Sequence, residues 1–93
     1  MIELHDYEND HDQEWVVESD CREVRIVSTF FDTEGGFDHV TIGEDSFSGS
    51  DSIDQIVDRD FTVYFTSDGR VTKTGFQLTW SCYNSVVKQG LLK

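Results

Sequence analysis

Ninety-three residues with 19 acidic side chains, 7 Lys or Arg, two cysteines and no proline describe one small domain with a net charge of −12. That charge excludes a nucleic-acid binder, because phosphates would be repelled, and no apolar run approaches the roughly 20 residues that span a membrane as a helix. It permits a cation or a basic protein surface as partner.

Residues 1–12 read as an acidic arm, or as an edge strand carried by Ile2, Leu4 and Tyr7. The opening Met1-Ile2-Glu3-Leu4-His5 lacks the basic head and apolar run of a secretion signal. From residue 13 to residue 82 the chain alternates with period two, the signature of half-buried strands. Trp15 and Val17 alternate with Glu14, Val16 and Glu18, and Val24, Ile26, Ser28 and Phe30 alternate with Arg25, Val27 and Thr29. Val40 and Ile42 follow, then Phe61, Val63 and Phe65, then Phe76, Leu78 and Trp80. Turn residues bound these runs: Ser19-Asp20, Glu34-Gly35-Gly36, Gly43-Glu44-Asp45, Gly49-Ser50-Asp51 and Ser67-Asp68-Gly69. The pattern predicts an all-β domain, a two-sheet antiparallel β-sandwich with its core in 13–82. Residues 83–93 form a C-terminal extension that is a strand, a helix or an ordered tail.

The charges are unevenly spread. Eighteen acids fall in residues 1–60 and one, Asp68, in residues 61–93, so the two parts carry −15 and +3. Asp68 is a solitary acid in a basic stretch. Glu34 and Asp38 flank the Gly35-Gly36 turn where one strand ends and another begins, and Asp68 ends a third strand. Three carboxylates from two loops at one rim would repel one another unless a hard cation sat between them, and Ca²⁺ accepts such irregular oxygen ligation. On spacing alone, the ordinary reading is three solvated turn acids.

Cys21 and Cys82 show no metal-binding spacing. They are either a disulfide closing a long loop, worth about 4 kcal/mol, or two buried thiols. Enzyme signatures are missing: Ser46, Ser48 and Ser50 lie near Gly49 without a nucleophile-elbow pattern, and no glycine loop precedes a helix. His5, His11 and His39 lack zinc spacing, and Glu44-Asp45 fits turn acids better than a general acid–base pair.

Five ordered segments resemble the CUB domain: Trp15, then Phe31-Asp32-Thr33-Glu34, Phe37-Asp38-His39-Val40, Phe65-Thr66-Ser67-Asp68, and Gly75-Phe76 through Trp80. The resemblance spans about two thirds of the chain. It implies a jelly-roll sandwich, an extracellular, secreted setting, a monomeric domain and no catalytic activity. It also implies a Ca²⁺ site formed by Glu34, Asp38 and Asp68, completed by water and by a backbone carbonyl such as that of Arg70. Tyr7 is the counterpart of a tyrosine that supports the glutamate in this family. The resemblance further implies that a partner protein brings a Lys or Arg against Glu34, Asp38 and Asp68, with Tyr7 beside them.

The departures are specific. Gly36 and Ser48 stand where the family carries a cysteine pair, and Gln13 stands in place of another cysteine. Both usual disulfides are therefore missing, and a Cys21–Cys82 bond would be one the family lacks. The Glu34–Asp38 segment is also shorter than usual. Two alternatives follow. One is a metal-independent carbohydrate- or matrix-binding module, stacking sugars on Tyr64, Trp80 or Tyr83. The other is a structural appendage of a larger secreted enzyme.

Overall fold

The computed structural model describes residues 1–83, and the extension expected over 83–93 lies outside the described residues except for Tyr83, which ends the last strand. Among the described residues eight strands form in chain order: β1 (Ile2–His5), β2 (Asp12–Val17), β3 (Glu23–Asp32), β4 (His39–Ile42), β5 (Asp45–Phe47), β6 (Asp54–Asp58), β7 (Phe61–Thr66) and β8 (Gly75–Tyr83). They make two antiparallel four-stranded sheets, ordered β1-β8-β3-β6 and β2-β7-β4-β5. The all-β, two-sheet antiparallel sandwich expected from the alternation is what is found. Apart from the β4–β5 hairpin and its two-residue Gly43-Glu44 turn, each connection carries the chain from one sheet to the other.

Period-two burial follows the sequence closely in β7, where Phe61, Val63 and Phe65 are buried and Tyr64 and Thr66 are exposed. It does the same in β8, through Phe76 and Leu78. Phe65 and Phe76 sit at the middle of the core with ring centroids 5.4 Å apart. Trp15 lies edge-on to Phe76 at 6.0 Å, and Phe61 edge-on to Trp80 at 5.5 Å. Such aromatic pairs add about 0.5–1.5 kcal/mol each to the area they bury.

In β3 the expected alternation breaks. The pairing with β8 slips between Ser28 and Phe30, a bulge that reverses which face the following residues take. Phe31, not Phe30, therefore enters the core and packs on Phe76, while Phe30 meets the ring of His5.

The core also begins earlier than residue 13. β1 pairs with β8 along an edge, burying Ile2, and Tyr7 is buried edge-on to Phe65 at 4.7 Å. Cys21 and Cys82 form a disulfide joining the segment before β3 to the end of β8.

Candidate metal-binding site

The ends of four segments meet at one rim of the sandwich. β7 lies between β2 and β4, and its last residue, Thr66, is in register with both Asp12 and His39. Asp38, one residue before β4, and Asp68, two residues after β7, must therefore emerge side by side. Glu34 arrives from the other sheet, two residues beyond the end of β3.

The turn that carries Glu34 and Asp38 is held internally. The Glu34 carbonyl accepts from the backbone N–H groups of Phe37 and Asp38 at 3.2 and 3.0 Å. Thr33 is buried; its hydroxyl donates to the Asp38 carbonyl at 3.1 Å and accepts from Gly49 N–H at 2.9 Å. Gly36 takes a positive φ of 81°, which glycine adopts without strain, and its N–H donates to Ser48 Oγ at 3.1 Å. Gly36 and Ser48, the two positions that lack the cysteines of the resembled family, are thus in direct contact.

A carboxylate oxygen from each of Glu34, Asp38 and Asp68 lies within 4.8 Å of the others. Asp38 is wholly buried and fully directed: Oδ2 accepts from the Tyr7 hydroxyl at 2.5 Å, and Oδ1 accepts from Asp68 N–H at 3.0 Å. Asp68 Oδ1 accepts from Arg70 N–H at 3.1 Å. Glu34 differs, because its Oε1 is enclosed and has no hydrogen-bond partner among the described residues. An enclosed carboxylate oxygen without a donor is costly to keep charged. Burial first, and then the charges of Asp68 and Asp38, raise the Glu34 pKa above its ordinary value, with Lys73 acting in the opposite direction.

An arm formed by residues 6–11 buttresses the cluster. Asp6 N–H donates to the Thr74 carbonyl, Asp10 N–H to the Asp68 carbonyl, and Ser67 N–H to the His11 carbonyl. The Ser67 hydroxyl donates to the Glu8 carbonyl at 2.7 Å. This lacing holds Tyr7 beneath the acids, where its hydroxyl also accepts from Glu34 N–H at 3.3 Å.

The sequence-predicted residues come together with one rearrangement. Tyr7 and Asp38 were expected on the partner-facing surface and are found under it, at 3% and 0% exposure, which leaves Glu34 and Asp68 half-buried above them. Tyr7 supports Asp38 through its hydroxyl and the Glu34 backbone through its oxygen, rather than the Glu34 carboxylate. Arg70 takes part through its backbone N–H on Asp68.

The three histidine rings are not among the clustered groups, although the His11 backbone belongs to the supporting arm. His39 Nδ1 lies 3.3 Å from Ser46 Oγ, His11 Nε2 lies 2.8 Å from Gln13 Oε1, and His5 contacts Glu3. The aromatics considered for sugar stacking do not share a face. Tyr64 is on the outer side of β7, whereas Trp80, on the other sheet, is half-buried against Phe61. Ser67 and Thr33 were missed as parts of the site. Only the Ser67-Asp68 pairing at a strand end pointed toward the first, and nothing in the sequence marked the second. Compared with known proteins, the chain matches no family model and no curated sequence.

Proposed function

We propose that this chain is a Ca²⁺-dependent protein-binding module of the CUB type, in which Glu34, Asp38 and Asp68 hold the ion. The observation that carries this reading is the enclosed Oε1 of Glu34, unpartnered among the described residues, beside two further carboxylates. A donor set made only of carboxylate oxygens suits a hard cation, and a site built on turns tolerates the irregular geometry of Ca²⁺. Bound there, the ion supplies positive charge that offsets the mutual repulsion of the three acids. Asp38, fixed by Tyr7 and by Asp68 N–H, positions its carboxylate in advance. Glu34 and Asp68, being half-buried, keep an outward edge for a Lys or Arg of a partner protein. The Gly36–Ser48 contact adds support for the family, since it joins two positions the family links covalently.

Calorimetric titration of Ca²⁺ into chelator-treated protein tests this. Binding in the range of about 10⁻⁴–10⁻³ M, usual for extracellular modules, is expected, together with its loss in Asp68→Asn. No heat of binding, or equal binding by Asp68→Asn, would overturn the reading.

A further inference from the structure

A second recess lies away from the acid rim, and it arises from a mismatch in strand length. β2 pairs with β7 along its whole length, down to Val17 opposite Phe61, but β4 stops at Ile42 opposite Val63. Among the described residues, Phe61 and Thr62 therefore have no paired strand on the β4 side. The turn at Gly43 folds β5 back, and the sheet is notched at that corner. On the facing sheet the notch is bordered by β6, which among the described residues pairs with β3 alone and leaves its other edge open.

The result is a groove of about 770 Å³. Its apolar surface comes from Val16, Ile42, Ile56, Phe61 and Tyr64, of which Val16 is 67%, Ile56 46% and Tyr64 44% exposed. Its rim carries four carboxylates: Glu14, Glu18, Asp58 and Asp60. Among the described residues, no Lys, Arg or His lines it. Outward-facing positions of a sheet tolerate any polar side chain, so Val16 and Ile56 at this place are not required by the fold.

We propose that this groove binds an extended, basic segment of another protein by strand addition along β6. Apolar side chains of that segment enter between Val16, Ile56 and Tyr64, its Lys or Arg residues meet the rim acids, and its backbone completes the open edge. The open edge favours an extended partner, and the rim fixes the sign of its charge. A second copy of this chain fits poorly, because it would bring two sets of rim carboxylates together. On β6 itself, Asp54 is already engaged by Arg25 in a two-point pair at 2.8 and 2.7 Å, so Asp58 is the acid left to face a partner.

The test is a titration of the whole chain, followed by amide chemical shifts, with a short capped peptide of alternating Lys and Val. A Glu–Val peptide serves as the control, and a chelator is present so that binding that needs Ca²⁺ at Glu34 is suppressed; shifts at Glu34, Asp38 and Asp68 then report any direct pairing of the peptide with those acids. Shifts at Ile56, Val57, Phe61 and Thr62 are expected with the basic peptide only. Combining Asp58→Lys with Asp60→Lys is expected to weaken binding about tenfold or more, as loss of close charge pairs does. Ile56→Asp should abolish binding while the remaining spectrum is preserved. Four results would overturn the proposal: equal binding of the Glu–Val peptide, shifts confined to Glu34, Asp38 and Asp68, concentration-dependent shifts at Val16 without peptide, or nuclear Overhauser contacts from residues 84–93 filling the groove.

Discussion

The Tyr7 hydroxyl donates to Asp38 Oδ2 across 31 residues of chain, and both groups are buried. Among the described residues Asp38's carboxylate has one other donor, the Asp68 N–H, so the tyrosine supplies half of what directs it. Burial, and secondarily the bond to Asp38, raise the phenol's pKa, so it remains a protonated donor at any physiological pH. Tyr7→Phe removes the donor and leaves the ring to pack on Phe65. The expected loss is about 1–3 kcal/mol, the cost of leaving a buried acceptor short of a partner, measured by urea unfolding. Ca²⁺ affinity should fall with it. A loss below about 0.5 kcal/mol would mean that water replaces the hydroxyl freely.

Glu34 gives a pH dependence with a definite sign. Its folded pKa lies above its ordinary value of 4.5, raised by burial and then by Asp68 and Asp38, against Lys73. The folded state therefore holds the proton more tightly than the unfolded state. Between the two values unfolding releases protons, so stability falls as pH rises through that window. In chelator, Glu34→Gln should raise the thermal midpoint at pH 7, and the gain should vanish below the unfolded pKa. With Ca²⁺ the order should reverse at pH 7, since under the proposed function the ion would stabilise only the parent chain. A variant destabilised at pH 7 in chelator would show that the Glu34 charge is already compensated within the protein.

How much of this was legible beforehand can be judged from particular residues. Alternation in β7 and β8 was plain because each buries one face against a single layer. The bulge at Thr29 was not, because a slip of one residue leaves composition unchanged while exchanging Phe30 for Phe31 in the core. β6 was hidden because its exposed Ile56 and half-buried Val57 are adjacent, and its ends are acids typical of turns. The cluster was named residue by residue, but only the resemblance to CUB domains made it a site; Asp68 stood out by charge, and spacing alone left all three as ordinary turn acids. That Tyr7 and Asp38 would lie beneath Glu34 depended on the wrapping of residues 6–11, which long-range bonds to Ser67 and Asp68 decide.

Gly75 shows how far the site depends on the edge of the sandwich. It opens β8 with a φ of 112°, and a Cβ there would lie 1.8 Å from the Leu4 carbonyl oxygen. Gly75→Ala must therefore push β1 away from β8. The φ alone is worth about 1–3 kcal/mol, and the clash with backbone adds to it. The register of His5 with Gly75 places this contact two residues before Tyr7. The expected outcome is loss of amide protection in Ile2–His5 together with weaker Ca²⁺ binding, read by hydrogen exchange and calorimetry. Protection lost with Ca²⁺ affinity unchanged would show that Tyr7 is held by the 8–11 segment alone.

The Cys21–Cys82 bond acts on a different quantity. Its two cysteines are 61 residues apart in sequence, and their Cα atoms are 5.2 Å apart, next to the β3–β8 ladder that begins two residues after Cys21. In the folded state the bond adds little that the ladder does not supply. Its effect falls on the unfolded chain, where closing so long a loop removes conformational freedom worth about 4 kcal/mol. Replacing both cysteines by serine should lower unfolding free energy by up to that amount. The urea dependence should steepen, because the released chain exposes more surface. β3 has ten residues, and at roughly 3.3 Å each its two ends lie about 30 Å apart, with the disulfide near one and Glu34 near the other. Ca²⁺ affinity measured well below the unfolding midpoint should therefore be unchanged. A fall in affinity at full folding would show instead that the bond fixes the register of β3 through the bulge at Thr29 to the acid rim.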